Sequence, residues 1–195
     1  GLGVAGIIIG LALQDSLSNL AAGFFILATR PYDVNDVIQS GGVLGTVRAM
    51  GLANTTVVTF DNRRLLVPNR KIWGDVIENR SAERVRRVDA TVRISYREDL
   101  DRAMGILYSL LNEYEKALDT PEPAIFVSDL ADSWIELAVR PWVKNEDWWP
   151  VTTELPRLIR LSFAEEGIEV PYPRRDFVAL PTDESVDAPP RTDQR

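Results

Sequence analysis

Residues 1–25 read GLGVAGIIIGLALQDSLSNLAAGFF, and the reading of this stretch decides the rest. Of the first 28 residues, 23 are apolar or glycine, so the segment must be buried in protein or in lipid. Leu2–Leu13 is uninterrupted but shorter than the roughly 20 apolar residues a bilayer span needs. It therefore reads as a buried helix or as the end of a membrane span. On a helical wheel Gly3, Gly6 and Gly10 line one flank, and Ala5 and Ala12 line another. Val4, Ile7 and Leu11 lie between the flanks, and Gln14 and Ser18 continue that strip. Small residues let helix backbones approach closely. A glycine flank against a neighbour's alanine flank is a heterologous contact, which closes into a ring when repeated by rotation. The strip through Ile7, Leu11, Gln14 and Ser18 is then the better candidate to face the enclosed hole; the alternative reading is that the glycines only allow tight packing in a helix bundle.

Asp15 and Ser16 interrupt the apolar pattern, and LAAGFFILA, which contains Gly23, resumes it. We expect the helix to bend near residue 15 and its second half to be amphipathic, lying along the membrane surface. Asp15 reads either as a helix cap or as one member of an acidic ring at the lower mouth of the hole. Pro31 ends the segment.

The remainder is a different kind of text. DVIQ, VLGTVRAM, TTVVTF, RLLVP and DVIEN are short β-rich runs separated by the turn signals Gly41-Gly42 and Asp61-Asn62. Five strands in so short a span suggest a small barrel. Beyond Val85, Val88, Ala90, Val92 and Ile94 alternate as in a half-buried strand. Leu100, Ala103, Met104, Leu107, Leu111, Tyr114 and Leu118 follow at helical spacing. AIFV and WIELAV read as strands. Leu155, Leu158, Ile159 and Phe163 give a second helix, stopped at Gly167, with Pro150 and Pro156 displacing or kinking its start. DFVAL closes a βαββαβ order, the ferredoxin-like split unit.

Composition excludes several functions. The 195 residues carry a net charge of −7, with no histidine and no cysteine. An acidic chain argues against a nucleic-acid-binding surface. The missing side chains are the commonest metal ligands and the commonest acid–base and thiol catalysts. Neither an enzyme nor a cofactor is indicated. Arg80, Arg84, Arg86 and Arg87 read as a solvated face, and Trp142, Trp148 and Trp149 as packing rather than a ligand shelf. GGVLG lacks the Lys-Ser/Thr of a phosphate loop. Residues 181–195 have almost nothing to bury and read as a disordered tail. Gly1 in place of an initiating methionine suggests a piece of a longer chain.

Taken together, GLALQDSLSNLAAG, RPYDVNDVI, GGVLGTV and LLVPNRKIWGDVIEN, the last with its Pro68-Asn69 signature, resemble the small-conductance mechanosensitive channel (MscS) family. The resemblance runs through about residue 180 and starts within that family's third transmembrane helix. It implies a membrane-protein fragment of three parts: a pore-lining helix over 1–28, an Sm-like β domain over 29–80 and a ferredoxin-like α/β vestibule domain over 81–180. It further implies a homoheptamer in the bacterial inner membrane, with both folded domains in the cytoplasm and two further spans upstream. Its partners would be membrane lipids and permeating ions and small solutes, with no nucleic acid. Such channels open under membrane tension after osmotic downshock. Ile7 and Leu11 fall on the family's two hydrophobic constriction rings, where leucine is usual at both. Asp15 stands where a small, flexible residue, commonly glycine, is usual, and Ile8 where a small packing residue is frequent. The competing reading is a soluble or membrane-anchored Sm-like module that binds nucleic acid or another ligand without channel activity.

Overall fold

The computed structural model describes residues 2–171. The expected closing strand DFVAL and the expected tail lie outside them. The first element, α1, is a single helix over Leu2–Thr29. It runs unbroken through Asp15 and Ser16, so the interruption read from the sequence is one of polarity and not of backbone. Aspartate inside a helix costs less than about 1 kcal/mol, far less than a proline. The Asn19 amide also donates to the Asp15 carbonyl at 2.9 Å, one turn on. Asp15 thus lies in mid-helix and caps nothing. The helix ends where Arg30 turns left-handed (φ 46°), its N–H reaching the Ile26 carbonyl at 2.9 Å, with Pro31 following.

Next comes an antiparallel sheet of β1 (Val37–Ser40), β2 (Val43–Met50), β3 (Asn54–Val58), β4 (Arg64–Pro68) and β5 (Glu78–Asn79), in the order β4-β3-β2-β1-β5. Gly41 and Gly42, at φ 60° and 75°, form the two-residue turn that pairs Ser40 with Val43. Asn62, at φ 64°, shapes the longer loop between β3 and β4. A short helix the sequence did not announce, α2 (Asn69–Trp73), follows Pro68 directly. It occupies the space before DVIEN, of which only Glu78–Asn79 pairs as a strand. Asp75 is used instead to hold the hairpin turn, its carboxylate accepting from the Gly41 N–H at 2.9 Å. Ile38, Val47, Val57, Val67 and Ile72 are buried together with Tyr32 and with Ile26 of α1. The lower half of α1 therefore belongs to the core of the β domain.

The chain enters and leaves this domain through one clamp. Asp36 accepts from the Asp33 N–H at 2.9 Å, the Asn79 amide at 2.8 Å and the Ser81 hydroxyl at 3.0 Å. Partial burial opposes its charge, but these three hydrogen bonds outweigh it and hold the carboxyl below its usual range.

The C-terminal part is built on a second core. β7 (Ala90–Ile94), β8 (Ala124–Leu130) and β9 (Ile135–Arg140) form an antiparallel sheet ordered β7-β9-β8. α3 (Leu100–Glu113) and α4 (Trp148–Glu165) pack against it and against each other. Leu107, Leu111, Leu137, Val139, Leu155, Ile159 and Phe163 fill the interior. Asp99 caps α3 by accepting from the Arg102 N–H at 3.1 Å. That helix stops at Glu113, short of Leu118, which instead bridges to Trp142. α4 starts at Trp148, ahead of Pro150. Pro150 sits in the first turn, where an N–H would have no helical partner, and Pro156 lies inside the helix without ending it. Gly167, at φ 71°, closes it.

A two-stranded pairing of β6 (Val85–Arg87) with β10 (Trp142–Lys144) joins the linker to this core. The basic cluster is largely committed here. Arg86 lies over the Trp148 ring at 3.9 Å, Arg87 pairs with Asp89 at 3.0 Å, and Arg80 pairs with Glu78 at 2.9 Å. Trp148 also donates to the Arg87 carbonyl at 3.0 Å, so that ring is packing.

Candidate functional site: the apolar helix and its anchorage

The two ends of α1 stand in different surroundings. Gly3 to Leu17 is exposed throughout. Among the described residues, nothing lies within 4 Å of the place where a Cβ on Gly3, Gly6 or Gly10 would sit. Ala5, Ala12 and Gln14 are likewise exposed. Ile7 and Leu11 are 65% and 67% exposed, among the most open large apolar side chains of the molecule. A helix this apolar, Gly3–Thr29, is long enough to cross a membrane by length and composition.

From Ser18 downward the helix is held. Ser18 and Asn19 are half-buried, and Ala22, Gly23 and Ile26 are buried. Gly23 touches the β domain so closely that a Cβ there would meet the Leu52 carbonyl oxygen at 1.9 Å and the Asn69 amide nitrogen at 2.4 Å. Only glycine permits this approach. Gly23 therefore serves the anchorage.

Asn69 is the centre of that anchorage. It is 1% exposed, and its amide donates to the carbonyls of Gly51 at 2.8 Å and Leu52 at 3.0 Å. Its carbonyl oxygen accepts from the Thr55 hydroxyl at 2.9 Å, and Thr55 meets the Tyr32 hydroxyl at 3.0 Å. The Asn69 N–H donates to the Ala53 carbonyl at 3.0 Å. A buried polar side chain is tolerable only when satisfied in this way. Burial pushes the Tyr32 phenol above its usual range. Pro68, at the end of edge strand β4, lacks the N–H a central strand would need, and its φ of −58° sets the chain for α2.

Further contacts join α1 to α2. The Phe25 and Trp73 rings stack 5.5 Å apart at 15°. Asn19 accepts from the Arg70 N–H at 3.0 Å, and the Arg70 guanidinium pairs with the Asp15 carboxylate. Sequence reasoning found Asp15 and Asn69 but missed Arg70 and Asn19. The charges of Asp15 and Arg70 are 55 positions apart, and nothing local in either stretch points to the other. Among the described residues no group of three or more His, Cys, Asp or Glu is arranged to hold a metal.

A span-length apolar helix fastened by its lower half to a folded β domain has the length and composition of a membrane-protein segment with a domain at one end. Comparison with known proteins gives the family. Residues 15–82 match the model described as the mechanosensitive ion channel β-domain, and residues 88–170 match that of the mechanosensitive ion channel MscS C-terminal domain. The chain is 36% identical over 172 residues to a small-conductance mechanosensitive channel of Edwardsiella ictaluri, covering 88% of this chain and 60% of that protein. It is 34% identical over 175 residues to an uncharacterized MscS family protein of Synechocystis, covering 90% of this chain and 59% of the relative. Among solved structures, the closed-state crystal structure of Helicobacter pylori MscS superimposes with a TM-score of 0.87 at 27% identity, covering 93% of this chain and 72% of that one. The chain belongs to the MscS family of mechanosensitive ion channels. It spans about three-fifths of the length of the curated relatives it matches.

Proposed function

We propose that the chain is a subunit of a channel opened by membrane tension, with the upper half of α1 lining the pore. The observation that carries this reading is the division of α1. Above Asp15 it is apolar, ridged with glycine and exposed throughout, from Gly3 to Leu13. Its lower half is fixed to the β domain. Each glycine in a helix costs about 1 kcal/mol against alanine. Among the described residues Gly3, Gly6 and Gly10 gain no packing to offset that, so in this reading the return comes from neighbouring copies against their flanks.

In this reading copies assemble as a homoheptamer in the bacterial inner membrane. Gly3, Gly6 and Gly10 of one helix pack against Ala5 and Ala12 of the next, and Ile7 and Leu11 form two apolar rings facing the axis. A narrow apolar neck sheds water, and ions cannot lose their hydration to cross it. Tension favours the state of larger in-plane area. The helices then slide along their small flanks, the neck widens and wets, and ions and small solutes leave the cell after osmotic downshock. The shift is between two states of different area, as a ligand shifts two states of different affinity. The five-stranded sheet supports an Sm-like barrel. The β7-β9-β8 order with its two helices supports a ferredoxin-like unit. Both would form a cytoplasmic vestibule below the pore. The role needs no catalysis and no cofactor, and its partners are other copies, lipids and permeating solutes.

Patch recordings from liposomes holding the intact protein test this. The wild type opens under suction, and Leu11→Ser opens at lower tension because a hydroxyl ring holds water. An unchanged threshold in Leu11→Ser would count against the apolar neck, and a wild type silent at all tensions against the channel itself.

A further inference from the structure

Asp15 is the only charged residue before Arg30 in the sequence. Its ion pair with Arg70 is too open to hold the helix in place. The two side chains are 83% and 57% exposed, and pairs of that kind contribute about 0–1 kcal/mol. The buried contacts at Gly23 and Asn69 do the holding. The pair's consequence lies in where it puts charge.

Asp15 follows Leu11 by four residues, one helical turn on the same face and about 6 Å further along the axis. If Leu11 faces the pore, Asp15 stands at the mouth just below it. Repeated by the symmetry of the assembly, bare carboxylates there would form an acidic ring selecting cations. The structure brings a guanidinium to the same level. Asn19, one turn further down, accepts from the Arg70 N–H at 3.0 Å and so fixes the start of α2 beside α1. Lys71 lines the same open hollow with Asp15, Asn19, Pro68 and Arg70.

We propose that Arg70 is a specificity-determining residue of the pore: by pairing with Asp15 it cancels the acidic ring below the Leu11 neck and keeps the mouth from selecting strongly by sign. The inference rests on the channel reading above. Arg70 comes from the β domain, so the charge at the mouth belongs jointly to α1 and to the domain on which it is anchored. Removing either partner leaves the other as a ring of one sign.

The test is the reversal potential under an asymmetric KCl gradient, measured on tension-activated currents of the intact protein in liposomes. The variants are Asp15→Asn, Arg70→Gln, the double variant, and Arg70→Lys as a charge-retaining control. Asparagine and glutamine approximate the original side-chain sizes, and the elution profile of each assembly checks that it forms. We expect the wild type and Arg70→Lys to discriminate weakly. Arg70→Gln should shift the permeability ratio toward cations and Asp15→Asn toward anions, each by about twofold or more, since unbalanced charge at a confined mouth concentrates counter-ions. The double variant should return close to wild type. A strongly cation-selective wild type with a silent Arg70→Gln would mean that Asp15 acts alone, and would overturn the proposal. Unmoved ratios in both single variants, with currents intact, would overturn it while leaving the channel reading standing. A wild type that passes no current under tension would overturn both.

Discussion

Gly10 and Gly23 lie in one helix and are constrained in opposite ways. At Gly10, as at Gly3 and Gly6, no described residue outside the helix's own backbone lies within 4 Å of a would-be Cβ. Around Gly23 a Cβ would collide with the backbone of Leu52. The residue type is the same, but the surroundings differ: the lower glycine answers to its own chain and the upper ones, in the proposed channel, to neighbours. The lower half of α1 is therefore a problem of folding, and the upper half a problem of assembly and membrane. Substitutions that look alike on paper should separate along that line.

The sharpest separation should come from alanine at each glycine. Gly23→Ala must push α1 off the β domain or move the Leu52 loop, and overpacking against backbone costs about 1–3 kcal/mol or more. Its melting temperature should fall by several degrees. Gly10→Ala should leave thermal unfolding of the folded domains unchanged or slightly improved, since alanine favours helix by about 1 kcal/mol, while altering the opening threshold. Equal melting of the two variants would break the comparison.

Asn69 comes next. Asn69→Ala removes two donors and an acceptor at a buried site and leaves the Gly51 and Leu52 carbonyls and the Thr55 hydroxyl without their partner. A cost of about 2–3 kcal/mol is expected. It should be read as faster amide hydrogen exchange in residues 22–29 than in the wild type. Exchange confined to residues 3–14 would place the anchorage elsewhere.

The smallest effect is the acid sensitivity of the clamp at Asp36. Because its carboxyl titrates lower in the folded chain than in the unfolded one, its contribution is present above the usual carboxylate value of about 3.9. That contribution is lost as pH falls through the lowered folded value. Asp36→Asn should be less stable than the wild type near neutrality, and the gap should close as pH drops below about 4. A gap constant with pH would show that the carboxylate's charge is not what the clamp uses. At the alkaline end Tyr114, raised to about 12 by burial and by its bond to Glu154, acts in the other sense. Its contribution is whole below about 10 and fades as pH rises through 12.

Much of this was readable in the chain because it is local. The apolar run of α1, the Gly41-Gly42 hairpin, the alternation through Ile94 and the spacing of Leu107 and Leu111 are all set within a few residues of themselves. Other features escaped for definite reasons. At five residues α2 is too short to display a helical period. β6 and β10 are three residues each, and they pair across more than fifty positions. The continuity of α1 through Asp15 was hidden because a charge in an apolar run looks like a break, whereas the backbone needs only that the residue tolerate helix. Asn69 was visible as half of Pro68-Asn69, but its burial, its reach to Gly51 and Leu52 and its fit against Gly23 exist only once the sheet has formed. Arg70 lay in plain view as one basic residue among 22 lysines and arginines.

The central claim is that the Ile7–Leu11 strip of α1 faces a closed apolar neck. The chain has no cysteine, so single cysteines can be placed without background. The most direct measurement is modification of Leu11→Cys and, separately, Ile9→Cys by a charged, water-soluble thiol reagent during tension recordings of the intact protein. Ile9 lies on the opposite side of the wheel from Leu11. The account predicts that reagent applied while the channel is open will modify Leu11→Cys and then lower the opening tension, because a charged ring keeps the neck wet, while Ile9→Cys stays unaffected. Equal responses at the two positions, or a response at Ile9→Cys alone, would contradict it.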